Sequence, residues 1–171
     1  HGVMNTDNTS IAVETIDYGP CAFMDEYNPQ TVYSSIDHHG RYAFANQAQI
    51  AHWNLACLSG CLIPLVDKNE EKSKAEINKV LESFSKNVND EISRKMTQKI
   101  GLDKPDQEGL ELLRALLKLM HESKTDYTLT FRSLSDVAQG KAKEFISFFD
   151  TKDSISDWIK DWEKLLSKQG K

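Results

Sequence analysis

Residues 77–101 read INKVLESFSKNVNDEISRKMTQKIG. Ile77, Val80, Leu81, Phe84, Val88, Ile92, Met96 and Ile100 recur mostly at spacings of three and four. A helix turns once in about 3.6 residues, so these positions share one stripe. The stretch therefore predicts a long amphipathic helix. Gly101 predicts its end, because glycine accepts the left-handed backbone that closes a helix C-terminus.

The same periodicity extends outward in both directions. Upstream, the chain turns helical from Asn46, and Ile50, Trp53, Leu55, Leu58, Leu62 and Leu65 make an apolar surface broad enough to predict a well-buried helix. Pro64 ends or kinks its last turn. Asn69 to Lys74 reads as a solvated helix end. Downstream, Asp106 can cap a helix whose inner side is Leu110, Leu113, Leu116, Leu117 and Met120. Shorter helices are expected near 130–138 and 141–149. A last one over 154–167 points Ile155, Trp158, Ile159, Trp162, Leu165 and Leu166 inward. Trp158 and Trp162 lie four apart and read as core. No internal repeat appears.

The first 45 residues differ. They are rich in Gly, Pro, Asn, Asp and Tyr, with short apolar runs. Residues 10–13 and 15–18 read as two short strands around a tight reversal, a small β-hairpin, which Gly19-Pro20 then breaks. Residues 21–41 read as an ordered, irregular loop with turns at Asn28-Pro29 and His39-Gly40. The expected class is mainly α with a small β-hairpin region. The chain divides into a site segment over 1–45 and a helical bundle over 46–171, within one domain.

Composition excludes several classes. With 171 residues and a formal charge of −5, nothing suggests a nucleic acid or an anionic membrane as partner. The longest apolar stretch, residues 50–66, is broken by His52, Asn54, Ser59 and Gly60, and falls short of the roughly 20 residues that cross a bilayer. Cys21, Cys57 and Cys61 cannot all pair, and they read as buried free thiols. The chain begins at His1, so an excised or processed polypeptide is expected. Localisation is weakly bounded: cytoplasmic if the chain is bacterial, with mitochondria open if it is eukaryotic.

The residues that can carry chemistry cluster at the start, in HGVMNTDN (1–8) and IDYG (16–19). Asp7, Asn8 and Asp17 offer hard oxygen ligands without thiolate or imidazole, which suits Mg²⁺ or Mn²⁺ and not zinc. Fully extended, Asn8 and Asp17 would stand about 30 Å apart. A hairpin between them would bring both to one end, where Mg²⁺ could take its remaining ligands from phosphates. A polar loop followed by an ordinary hairpin is the bland alternative, since Asn and Asp are common in turns. Other residues are less telling. Asp37-His38-His39 could suggest a metal cluster, but adjacent histidines in extended chain point opposite ways. Arg41 could pair with an acidic group near the site, an incoming phosphate, or a structural ion partner. His52 reads as a hydrogen-bonded core residue.

Asp17-Tyr18-Gly19 resembles the Asp-Phe-Gly of protein kinases, and Asn8 resembles their catalytic-loop Asn. A closer resemblance is to the selenoprotein O family. It is carried by HGVMNTDN, IDYGP, AFMDEYNP, DHHGRYAFANQ and WNLA within residues 1–56, and by DYTLTFRSL at 126–134. That resemblance implies the larger, C-terminal lobe of a protein-kinase-like fold. It also implies transfer of AMP from ATP to Ser, Thr or Tyr hydroxyls of proteins, by a family long regarded as pseudokinases. Val3 stands where many kinase-like enzymes have the catalytic Asp. The implied roles are Asp7 as base, Asn8 and Asp17 as metal ligands, and Asp17 as a further contact to ATP through the ion. Thr9, Ala48 and Cys57 depart from the family's usual Met, Pro and Arg. The Gly-rich loop and phosphate-pairing Lys are expected upstream of His1, which would leave this fragment inactive alone. Two other readings stand beside this one: a kinase that transfers the γ-phosphate, and a non-catalytic helical binding module.

Overall fold

Gly101 closes the long helix with φ +78°, and the Thr97 carbonyl accepts from the amides of Ile100 and Leu102, each at 3.1 Å. The computed structural model describes every residue except His1, Val13, Ile16, Asp17, Gly19, Pro20, Lys104 and Lys171. Among the described residues six α-helices follow one another: α1 Gln47–Val66, α2 Glu70–Lys99, α3 Gln107–Glu122, α4 Tyr127–Val137, α5 Lys143–Ser147 and α6 Lys152–Lys168. Two 3₁₀ turns, Thr6–Asn8 and Phe44–Asn46, precede them. The chain forms two compact units: His1–Phe23 with Gln30–Asp90, and Met24–Pro29 with Glu91–Lys171.

The second unit holds the denser core. Asp106 caps α3 by accepting from the Gly109 amide at 2.7 Å, and Asp126 caps α4 by accepting from Leu129 at 2.7 Å. An acceptor at that position satisfies one of the amides that a helix start leaves unbonded. Leu113, Leu116 and Met120 of α3 are buried together with Ile155, Trp158, Ile159, Trp162 and Leu165 of α6. The two indoles stack at 5.7 Å. Each finds a carbonyl: Trp158 Nε1–H donates to Leu112 at 2.9 Å and Trp162 Nε1–H to Ile100 at 2.7 Å. Phe145 and Phe149 fill the space beside Trp158. The segment 24–29 joins this unit through backbone pairing: Tyr27 N–H to Thr125 O at 2.9 Å and Tyr127 N–H to Asp25 O at 2.7 Å. Tyr27 then stacks on Tyr127. On the α2 surface of this unit, the Arg94 guanidinium grips Glu91 and holds its carboxyl down at about 2.

In the first unit, Asn69 Oδ1 accepts from the Glu71 and Lys72 amides and caps α2. The buried Ser73 hydroxyl both accepts from and donates to the Asp67 backbone. These bonds fix the short connection from α1 to α2. His52 of α1 stacks on Phe84 of α2 with ring centres 6.3 Å apart.

Four expectations are corrected. Among the described residues there is no strand: residues 10–12, 14, 15 and 18 form turn, bend and irregular backbone instead of a hairpin, with Val13, Ile16 and Asp17 outside the described set. The Ser10 hydroxyl accepts from Ala12 N–H at 3.2 Å, and such a local side-chain bond competes with strand pairing. Helix α1 is not well buried, since only Ile50 and Asn54 are fully covered while Trp53, Leu58, Leu62 and Leu65 stay exposed. Its apolar residues go round the helix instead of gathering on one stripe, and one neighbour cannot cover them all. The cysteines are free but not buried: Cys21 and Cys61 are exposed and Cys57 is half-buried, for the same want of cover on α1 and because Cys21 lies in a surface loop. Finally, by length and composition Phe44–Val66 is long and apolar enough to cross a membrane, with 11% of its most apolar window buried. The 3₁₀ turn at Phe44–Asn46 supplies the length that residues 50–66 lack.

Candidate functional site

The described part of HGVMNTDN, residues 2–8, is held as a tight loop by its own polar groups. Asn8 N–H donates to Asn5 O at 3.1 Å and Thr9 N–H to Thr6 O at 3.3 Å, which closes the 3₁₀ turn over Thr6–Asn8. The Thr9 hydroxyl donates to Asn5 O at 3.1 Å. Asn8 turns its side chain back, and Nδ2 donates to Val3 O at 3.1 Å. That bond uses one Nδ2 donor and leaves Oδ1 as an acceptor, and oxygen is the atom a hard cation needs.

Asn54 ties the loop to α1. Asn54 is buried on the helix, and its Nδ2 donates to Met4 O at 2.9 Å and to Thr9 Oγ1 at 2.8 Å. Both ends of the stretch bearing Asp7 and Asn8 are thus pinned to the same amide. Asn54 is the residue that sequence reasoning did not assign to the site. Its signal was there, in a lone Asn amid apolar neighbours, and it counted only as an interruption. A buried amide deprived of one partner costs about 1–3 kcal/mol. Asn54→Ala removes the donor to both acceptors and should lower unfolding stability by about that amount in chemical denaturation. An unchanged midpoint would show that the loop is held by something else.

Asp7 and Asn8 are adjacent and both exposed. Asp7 takes no ion-pair or hydrogen-bond partner among the described residues, so its carboxylate is open to an incoming group. Asp17, expected beside them, lies outside the described residues, and so does His1. Among the described residues, no three His, Cys, Asp or Glu side chains gather as a metal-holding group. Of the two residues expected to ligate the metal, Asn8 is described, and its amide oxygen is a donor that suits a hard divalent cation taking other ligands from phosphates.

The remaining candidates take other roles. Asp37 is a turn residue and no metal ligand: its Oδ1 and Oδ2 accept from the Arg41 and Tyr42 amides, each at 2.8 Å. His38 and His39 are exposed. Arg41 makes no ion pair among the described residues. Its guanidinium lies 4.6 Å from the centre of the Trp53 ring. His52 is half-buried and stacks on Phe84, with no side-chain hydrogen bond among the described residues, so it is not the hydrogen-bonded core residue expected.

Comparison with known proteins adds to this geometry. A family model described as "Protein adenylyltransferase SelO" matches residues 1–171. The chain is 48% identical over 169 residues to a protein nucleotidyltransferase YdiU of Maridesulfovibrio salexigens, covering 99% of this chain and 34% of that relative. It is similar to the proteins of the same name from Rhizobium etli, at 48% over 170 residues, and Agrobacterium fabrum, at 44% over 170 residues. These matches cover 98% and 99% of this chain, and 34% and 35% of the relatives. The chain thus spans about a third of the length of the curated relatives it matches.

Proposed function

Because this chain belongs to the protein adenylyltransferase SelO family, we propose that it supplies the acceptor-activating and metal-binding part of an enzyme that transfers AMP from ATP to Ser, Thr or Tyr hydroxyls of proteins. The observation that carries this reading is the Asn54-pinned turn that presents Asp7 and Asn8 side by side and open. Asp7 accepts the proton of the attacking hydroxyl as a general base. Asn8 offers Oδ1, with Asp17 as second ligand, to a Mg²⁺ or Mn²⁺ ion that also meets ATP. When bound, that ion supplies positive charge against the phosphate oxygens. The hydrogen bonds from Asn54 and within the turn support the loop that bears base and ligand, and positioning of this kind is what such a site needs. The fold in this reading is the larger lobe of a protein-kinase-like enzyme.

Transfer of AMP breaks the bond between the α- and β-phosphates, forms a phosphodiester to the hydroxyl and releases pyrophosphate. Transfer of the terminal phosphate would break the bond between β and γ. ATP labelled at the α-phosphate or at the γ-phosphate, given to the complete enzyme with protein acceptors, separates the two. The proposal requires label on protein from the α position alone. Label from the γ position would make the enzyme a kinase, and no label from either would leave a binding module. The 171-residue chain alone should bind Mg-ATP negligibly by calorimetry, and micromolar binding would show a more self-contained site.

A further inference from the structure

Helix α1 carries no Asp, Glu, Lys or Arg over its 20 residues. From Leu58 to Val66 every residue is exposed except Ser59 and Ile63, which are half-buried. Leu65 stands 78% exposed, and on the other side of the helix Gly60 faces open space. A helix that is apolar all round belongs in the core of a larger protein or in a bilayer. We propose that the C-terminal half of α1 is a core helix of the complete enzyme, covered by apolar side chains from the part of the same polypeptide that lies outside these 171 residues.

Asn54 argues against the bilayer. It sits near the middle of the apolar stretch Phe44–Val66, and its amide donates to Met4 O and Thr9 Oγ1. A bilayer around α1 would hold that irregular loop, with the exposed Asp7 and Asn8, close to its centre. Lipid offers no partners for the polar groups of such a loop. The core of a larger protein is what remains, and the relatives supply its size. About two thirds of each lies outside the region that this chain matches. A segment of the same polypeptide reaches α1 at a far higher effective concentration than a separate molecule does, so it takes the face ahead of a second copy. Leu58, Leu62 and Leu65 stand four and three apart and form one ridge for it to pack on. Gly60, on the other side, lets a second stretch of backbone come close.

The test uses the complete enzyme and reads two thiols that α1 already carries, Cys57 and Cys61. N-ethylmaleimide labelling is followed by mass spectrometry of their peptides, in native enzyme and in enzyme unfolded with urea. Cys61 is exposed in the 171-residue chain, so without a cover it reacts within a few-fold of the unfolded rate. With the cover, both thiols should react at least roughly 100-fold more slowly, because labelling then waits for a local opening. Placing p-benzoylphenylalanine at Leu62 and irradiating the purified enzyme at nanomolar concentration, mixed with an isotope-labelled copy, identifies what lies on the face. The cross-linked peptide should come from the same polypeptide and from outside the 171 residues. The same replacement at Leu65 serves if the first variant does not fold, and the thiol rates need no variant. Labelling of Cys61 near the unfolded rate overturns the proposal, as does a cross-link to residues 91–171, to a second copy or to nothing. Protection that appears only with phospholipid vesicles also overturns it and gives the face to lipid. Loss of AMP transfer changes none of these outcomes, so the cover and the proposed chemistry fail separately.

Discussion

Asp7→Asn in the complete enzyme should lower AMP transfer by about 10²–10⁴-fold, the usual contribution of a general base, while ATP affinity stays within a few-fold. The substitution preserves the shape of the side chain and removes its basicity. The geometry favours a clean outcome. Asp7 lies in the middle of the turn and is not one of the groups that hold it, because the bonds that close and anchor the loop come from Asn5, Thr6, Asn8, Thr9 and Asn54. Single-turnover transfer at saturating ATP and metal is the measurement. Transfer at a near wild-type rate would remove Asp7 from the role of base.

The second large effect is on stability. Trp162→Ala should destabilise the protein by about 3–5 kcal/mol, the range for deleting a buried aromatic side chain. Trp162 is 2% exposed, stacks on Trp158 and donates to the Ile100 carbonyl at 2.7 Å. That carbonyl sits where α2 ends, so the indole closes the helix end as well as filling space. Trp162→Phe retains most of the apolar volume and loses only the donor, which should cost about 1–3 kcal/mol for the stranded carbonyl. Urea denaturation of the three proteins gives both differences. An unchanged midpoint in Trp162→Ala would contradict the packing described for the second unit.

The helices of the second unit were legible because each combined a periodic apolar face with a punctuating residue. Asp106 marked the start of α3 and Gly101 the end of α2, and both do so through backbone groups that any helix end leaves unbonded. Trp158 and Trp162 were legible as core for the same reason of spacing. The burial of α1 was not legible, because its apolar residues surround the helix, and sequence alone cannot say which sides have neighbours. In the described part of residues 10–18, where no strand forms, Ala12 N–H donates to the Ser10 hydroxyl, a local bond that competes with strand pairing. Alternating residues do not by themselves make a ladder without a paired partner.

The candidate site was legible as a set of residue types but not as a mechanism of support. Asp7 and Asn8 stood out by chemistry. Asn54 did not, since its value lies in a contact across 45 and 50 residues of sequence. Thr9 reads as a departure from the resembled motif, yet its hydroxyl accepts from Asn54 and donates to Asn5. It therefore adds a tie that a thioether could not donate. Arg41 was left with three partners to choose from. The structure adds a fourth, the face of Trp53.

The separation of roles along the loop is the central claim, and metal binding tests it most directly. Mn²⁺ titrated into the complete enzyme with ATP present can be followed by electron paramagnetic resonance for the wild type, Asn8→Ala, Asp17→Ala and Asp7→Asn. The account predicts that the first two variants lose more affinity than the roughly 10–100-fold that even an outer partner of a ligand typically costs, while Asp7→Asn stays within a few-fold. Wild-type Mn²⁺ affinity in Asn8→Ala and Asp17→Ala, or its loss in Asp7→Asn alone, would contradict it.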